Sequence, residues 1–179
     1  MPPALRPAIF LDRDGVIIEN RPDHVRAWAD VSFLPGALPA LARLAAREFL
    51  AVIITNQAAV GRGLISLAAA EALNTEIIGA IRRAGGRIDG AYLCPHRPDE
   101  GCPCRKPRPG LIWQAARDLG VNLAASYFIG DAASDVQAAL AAGVAPALVL
   151  TGRGAEQQAQ VDGQARVFAV LAAALDALA

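Results

Sequence analysis

No apolar run in this sequence is long enough to cross a membrane. The stretch 49–54 stops at Thr55, and 138–150 is interrupted by Gly143 and Pro146, whereas a span needs about 20 residues. The opening residues hold one arginine and three prolines where an export signal would carry its apolar stretch, so nothing directs secretion. An excess charge of one sign is also missing. Seventeen Lys and Arg balance 17 Asp and Glu, and no basic run occurs, which excludes the electrostatic footprint of a general nucleic-acid binder. With 54% hydrophobic and only 19% charged residues, intrinsic disorder is excluded as the main state. Repeats, linkers and low-complexity tracts are absent as well. The 179 residues suit a single domain, 1–179, with one core. The expectation is a cytoplasmic, monomeric protein without a membrane or nucleic-acid partner.

Cysteine is scarce, and its placement is informative. All three cysteines lie within 94–104, together with His96, one of two histidines. A disulfide scaffold would spread its cysteines to tie distant segments together, so this clustering points to a metal.

What is present alternates between strand-length apolar runs and helical patterns. Segment 8–11 reads as a short buried strand ending at Asp12. Leu38, Leu41, Ala42 and Ala45 follow the spacing of a helix packed on one face. Segment 50–55 is β-branched and apolar, as in a buried parallel strand. A glycine-containing loop, 56–65, leads to a helix that Ser66 caps and that runs to about residue 84. Strands are expected at 91–94, 127–130 and 147–150, and helices from Pro109, over 134–142 up to Gly143, and over 170–178. Repeated strand–helix units imply a doubly wound, Rossmann-like α/β three-layer sandwich with a parallel sheet. In such folds ligands bind beyond the carboxyl ends of the strands.

The residues after successive strands are Asp12-x-Asp14, Thr55-Asn56, a Cys/His loop with Lys106, and Gly130-Asp131. Each alone reads as a turn, a cap or a solvated charge. Together, the acidic groups, the lysine and the threonine suit magnesium-assisted phosphoryl transfer, because Mg²⁺ takes hard oxygen ligands and offsets the repulsion between phosphate and an attacking carboxylate. Asp12 would attack phosphorus, and Asp14 would protonate the leaving oxygen and later accept a proton from water. The backbone and side chains of Thr55, Asn56 and Gln57 would meet the substrate. Arg105 and Arg62 could reach a remote phosphate with their planar forks.

Cys94-Pro-His96 and Cys102-Pro-Cys104 form two ligand pairs. An extended chain points residues two apart to the same side, and the prolines favour that extension. Four N/S ligands make a closed, structural zinc site within loop 95–108, which would steady Lys106 without touching substrate.

This order of motifs resembles the haloacid dehalogenase superfamily of phosphatases across nearly the whole chain. The matching residues are Asp12-Arg-Asp14-Gly15-Val16, Thr55-Asn56-Gln57, Arg105-Lys106-Pro107 and Gly130-Asp131-Ala-Ala-Ser-Asp135. The resemblance implies Asp12 as nucleophile, Asp14 as acid/base, Thr55 and Lys106 as phosphoryl stabilisers, and Asp12, Asp14 (through its carbonyl) and Asp131 as magnesium ligands. No large cap domain is expected, so loops 16–33, 56–65 and 95–108 shape access. Within the superfamily the zinc loop resembles two groups. One removes the 7-phosphate of a heptose 1,7-bisphosphate on the way to activated heptose and lipopolysaccharide core. The other hydrolyses histidinol phosphate. The 55–63 segment and the 150–154 ending are like the heptose group, and the short gap between His96 and Cys102 is closer to the histidinol enzymes. A binding module that has lost catalysis is a third alternative, against which the intact set of acidic groups, Thr55 and Lys106 argues.

Overall fold

Every residue of the first strand is buried. Strand β1 (Ala8–Leu11) sits in the middle of a six-stranded sheet of order β3-β2-β1-β4-β5-β6 in a computed structural model that describes residues 5–179. The other strands are β2 (Leu50–Asn56), β3 (Gly90–Cys94), β4 (Tyr127–Gly130), β5 (Ala145–Val149) and β6 (Arg166–Phe168). All pairings are parallel. Between them run helices α1 (Ala37–Leu44), α2 (Ala58–Gly61), α3 (Leu67–Arg83), α4 (Gly110–Leu119), α5 (Ala133–Ala142), α6 (Gly154–Gln157) and α7 (Leu171–Leu178). Among the described residues, no helix is long and apolar enough to cross a membrane.

Side chains alternate across a strand, and the two faces collect two separate cores. Ile9, Leu11, Ile53 and Ile129 face one side with Leu41 of α1, Ile77 and Ile81 of α3 and Leu175 of α7. Phe10, Val52, Ile54 and Phe128 face the other with Leu111 and Ile112 of α4 and Ala138 and Ala139 of α5. Phe10 and Phe128 stack across adjacent strands, ring centroids 6.3 Å apart. Burying such side chains stabilises the fold by about 1.5–3 kcal/mol each, so both faces of the sheet must be covered. That requirement produces the doubly wound sandwich.

The chain builds β2 and β3 on one side of β1, then crosses to β4 on the other. Leu11 is in register with both Ile53 and Ile129, so the strand order reverses at the carboxyl end of β1. A crevice opens at such a reversal, and Asp12 is the first residue beyond it.

Local signals set several boundaries. The Ser66 hydroxyl accepts from Ala69 N–H at the start of α3, and Gly143, left-handed at φ 75°, ends α5. Three features depart from the sequence expectation. Strand β5 runs 145–149 rather than 147–150 and includes Pro146. Pairing to β6 begins only at Ala147, so the proline sits at the strand start, where a missing N–H is tolerated. Strand β6 has three residues, two of them exposed, too few for an apolar pattern. Segment 56–65, expected to be loop throughout, contains the single turn α2.

Candidate active site

The turn after β1 is shaped by close approach to Asp131. Gly15 has φ +87°, and a β-carbon there would collide with the Asp131 carboxylate and lie 2.6 Å from the Asn20 amide. Gly152, from the loop after β5, packs beside Gly15 against the same carboxylate oxygen. Two glycines thus let two loops close on one buried acid.

Asp131 is fully buried. Its Oδ2 accepts from Asn20 Nδ2 at 2.7 Å and from the Arg153 main-chain N–H at 2.9 Å, with Arg153 Nε 3.7 Å away. Its Oδ1 has no donor. Asp135 is spent differently. Its Oδ2 accepts from the N–H groups of Asp131 and Ala132 at 3.1 and 3.0 Å, capping the start of α5. Its Oδ1 lies 2.7 Å from Lys106 Nζ. Lys106, only 3% exposed, also lies 3.0 Å from Asp12 Oδ1, donates to the Ile54 carbonyl at 3.0 Å and sits 5.4 Å above the Phe128 ring.

The carboxylates of Asp12, Asp131 and Asp135 gather in one cluster against the buried Lys106 ammonium and the more exposed Arg153 guanidinium, so negative charge is in excess. Burial pushes the Asp12 carboxyl up to about 8 despite Lys106, with repulsion from Asp135, Asp131 and Asp14 adding to it. Burial, then Asp135, also raises Asp131. For Lys106 burial works downward, but Asp12 and Asp135 outweigh it, so its proton is held more tightly than usual. A divalent cation would relieve this excess as a proton does, and an orphaned, buried carboxylate oxygen is what such an ion needs.

Asp14 is expected to ligate through its carbonyl, and its side chain stands apart from Asp12, Asp131 and Asp135. The Asp14 carboxylate is outside the cluster because both its oxygens are held elsewhere. Arg13 donates from Nε to Oδ2 at 3.0 Å and from Nη2 to Oδ1 at 3.2 Å, and Gln57 Nε2 donates to Oδ2 at 2.9 Å. Among the described residues no backbone N–H donates to the Asp14 carbonyl, so the main chain is the part of Asp14 left to face a cation.

The Thr55-Asn56-Gln57 segment ends β2 inside the same crevice. Gln57 Nε2 donates to Thr55 Oγ1 at 2.8 Å as well as to Asp14, joining the acid/base candidate to the phosphoryl-binding one. Asn56, expected to meet substrate, has both amide atoms on the Lys106 main chain. Asp12, Asp14, Asn56, Gln57, Lys106 and Asp135 line a cleft of about 830 Å³ that also contains Arg105, whereas Thr55 and Asp131 are buried and do not line it. Arg62 does not line it and is exposed at the end of α2. Arg21, His24, Arg108 and Arg153 do line it and were not anticipated. Arg21 and His24 lie in loop 16–33, Arg108 in loop 95–108 and Arg153 in the 150–154 ending; only folding brings the three segments to one rim.

The Cys/His loop closes on itself beside this cleft. Cys94 Sγ lies 3.6 Å from His96 Nδ1, 3.6 Å from Cys102 Sγ and 3.2 Å from Cys104 Sγ; Cys104 Sγ lies 3.4 Å from Cys102 Sγ and 3.3 Å from His96 Nδ1. A tetrahedral zinc with bonds of about 2.3 Å needs ligand separations of about 3.8 Å, so the cage fits that ion with slight expansion. Burial pushes the Cys94 thiol up, and a bound cation would displace its proton. Arg105 Nη1 donates to the His96 carbonyl at 3.1 Å, tying the rim arginine to the cage.

The HAD-hydrolase-like family model matches residues 103–174. The chain is 42% identical over 152 residues to the D-glycero-β-D-manno-heptose-1,7-bisphosphate 7-phosphatase of Bordetella bronchiseptica, covering 85% of each chain. It is 37% identical over 149 residues to the Pseudomonas aeruginosa protein of the same name, covering 83% of this chain and 84% of that one. The crystal structure of the D,D-heptose 1,7-bisphosphate phosphatase from B. bronchiseptica, complexed with magnesium and phosphate, matches with a TM-score of 0.91 at 40% identity. That match covers 96% of this chain and 97% of the other.

Proposed function

We propose that this chain, which belongs to the HAD-like phosphatases in the group of the D-glycero-β-D-manno-heptose-1,7-bisphosphate 7-phosphatases, hydrolyses the 7-phosphate of that sugar bisphosphate, as the β-anomer named for its relatives. The observation that carries the reading is the buried carboxylate cluster around Lys106, with Asp131 Oδ1 unpaired, at the base of an arginine-rimmed cleft.

A carboxylate oxygen of Asp12 attacks phosphorus, the bond from phosphorus to the sugar O7 breaks, and Asp14 supplies the proton that O7 takes. Water then attacks the aspartyl phosphate, returns a proton to Asp14 and releases inorganic phosphate. Lys106 and the Thr55 hydroxyl hold the phosphoryl oxygens throughout. Asp12, Asp131 and the Asp14 carbonyl would hold magnesium, which when bound offsets the charge between phosphate and nucleophile. Zinc on Cys94, His96, Cys102 and Cys104 would steady the loop that carries Arg105 and Lys106.

The rim decides between substrates. A bisphosphate keeps a second anion outside the reaction centre, and Arg21, Arg105, Arg108 and Arg153 supply cations for it. Histidinol phosphate instead carries an ammonium there, which these arginines repel. The test is phosphate release from both anomers of the heptose bisphosphate and from histidinol phosphate, with and without Mg²⁺. Magnesium-dependent turnover of the β-bisphosphate at the highest kcat/KM is expected. Preference for histidinol phosphate would overturn the substrate while leaving the phosphatase chemistry intact.

A further inference from the structure

Asn74 lies in the middle of α3, between Leu73 and Ile77 of the core on the same helix, and is only 7% exposed. A polar amide there costs stability unless it is hydrogen-bonded, and α3 itself has no use for it. Its partner comes from the active site. Arg13 Nη1 donates to Asn74 Oδ1 at 2.7 Å.

Arg13 is 1% exposed, so its guanidinium depends on protein partners. Its guanidinium is a rigid planar fork. Two corners, Nε and Nη2, hold the two oxygens of Asp14, and the third, Nη1, rests on Asn74. The fork, with Gln57 Nε2 on Oδ2, therefore sets the orientation of the Asp14 carboxylate, and Asn74 is the point at which helix α3 holds the fork. Without Asn74 Oδ1, a buried N–H is left unpaired, and the guanidinium must turn toward another acceptor. Asp14 turns with it.

We propose that Asn74 is a positioning residue for the proton transfer to the leaving oxygen, acting through Arg13 on Asp14. The inference rests on the acid/base role of Asp14 and adds to it a helix residue far from the substrate.

The test exploits leaving-group chemistry. The sugar O7 is a poor leaving group and needs a proton as the phosphorus bond breaks, whereas p-nitrophenolate leaves without one. The ratio of kcat/KM for the heptose bisphosphate to that for p-nitrophenyl phosphate therefore reports the proton transfer, and it does not depend on the fraction of folded enzyme. Asn74→Leu is expected to lower this ratio about tenfold, since small displacements of a catalytic group cost that much or more. Asn74→Ala, which adds no bulk, is expected to do the same. Asp14→Asn, measured alongside, should lower it further. If Asp14→Asn lowers the ratio and neither Asn74 variant does, Asn74 is only structural and the inference is wrong. If Asp14→Asn leaves the ratio unchanged, the acid role fails and the inference falls with it.

Discussion

Asn56 grips the main chain of Lys106 with both ends of its amide: Nδ2 donates to the Lys106 carbonyl at 3.1 Å, and the Lys106 N–H donates to Oδ1 at 3.1 Å. Strand β2 thereby fastens a residue 50 positions further along the chain, and the ammonium is delivered between Asp12 and Asp135. The clamp and the Cys/His cage hold the same loop.

Asn56→Ala should therefore act as a lysine-positioning defect. Two hydrogen bonds worth about 1 kcal/mol each are lost, and kcat should fall about tenfold by a similar factor for the heptose bisphosphate and for p-nitrophenyl phosphate. Steady-state kinetics on both substrates checks this; a selective loss on the sugar would instead mean that the amide touches substrate.

Asp12→Asn should fold and lose hydrolysis by orders of magnitude, because an amide cannot form the phosphoenzyme. Its stability should also respond differently to pH. The native Asp12 carboxyl is raised to about 8 from 3.8 by burial, so the folded state binds the proton more tightly than the unfolded chain. The resulting stability is fully present below about pH 4 and is lost as pH rises through about 8. In magnesium-free buffer, wild type should lose stability relative to Asp12→Asn across this window, and added Mg²⁺ should reduce the loss. Thermal melts of both proteins against pH, with and without Mg²⁺, make the comparison, and parallel curves would contradict it.

Cys104→Ser removes a corner of the cage that lies 3.2–3.4 Å from the other three ligand atoms. Bound zinc, melting temperature and turnover should fall together, since Arg105 and Lys106 follow directly in sequence. Elemental analysis of protein purified without chelator is the first measurement. Absence of zinc from the wild type would reject the site.

Arg105 and Arg62 should separate cleanly. Arg105→Ala is expected to lower kcat/KM for the bisphosphate by about tenfold to a hundredfold, the loss of a charge-assisted contact worth about 1.5–3 kcal/mol, with a much smaller effect on p-nitrophenyl phosphate. Arg62→Ala should change neither, because that side chain lies off the cleft. Equal losses on both substrates for Arg105→Ala would point to its bond with the His96 carbonyl and not to the remote phosphate.

The acidic and basic groups at the strand ends were legible because a buried parallel strand announces itself by composition and the first polar residue after it must lie at the rim. Asp12 and Asp131 follow from that rule, Thr55 is the first polar residue near the end of β2 itself, and the Cys/His spacing marks its own cage. The same local patterning located β1 to β4 and the caps Ser66 and Gly143. What it could not supply is the direction in which a side chain turns and what it meets. Asp14 is two residues from Asp12, yet its carboxylate goes to Arg13 and Gln57; Asn56 turns to Lys106; Arg13 reaches Asn74 across 61 positions. The rim arginines come from loops without periodicity, and strand β6 depends on β5 for its existence. Hydrophobic alternation is a local property of the chain and decides which faces are buried. Hydrogen-bond pairing of buried polar groups is settled only after the layers have closed, because each donor takes whichever acceptor the completed packing leaves within about 3 Å.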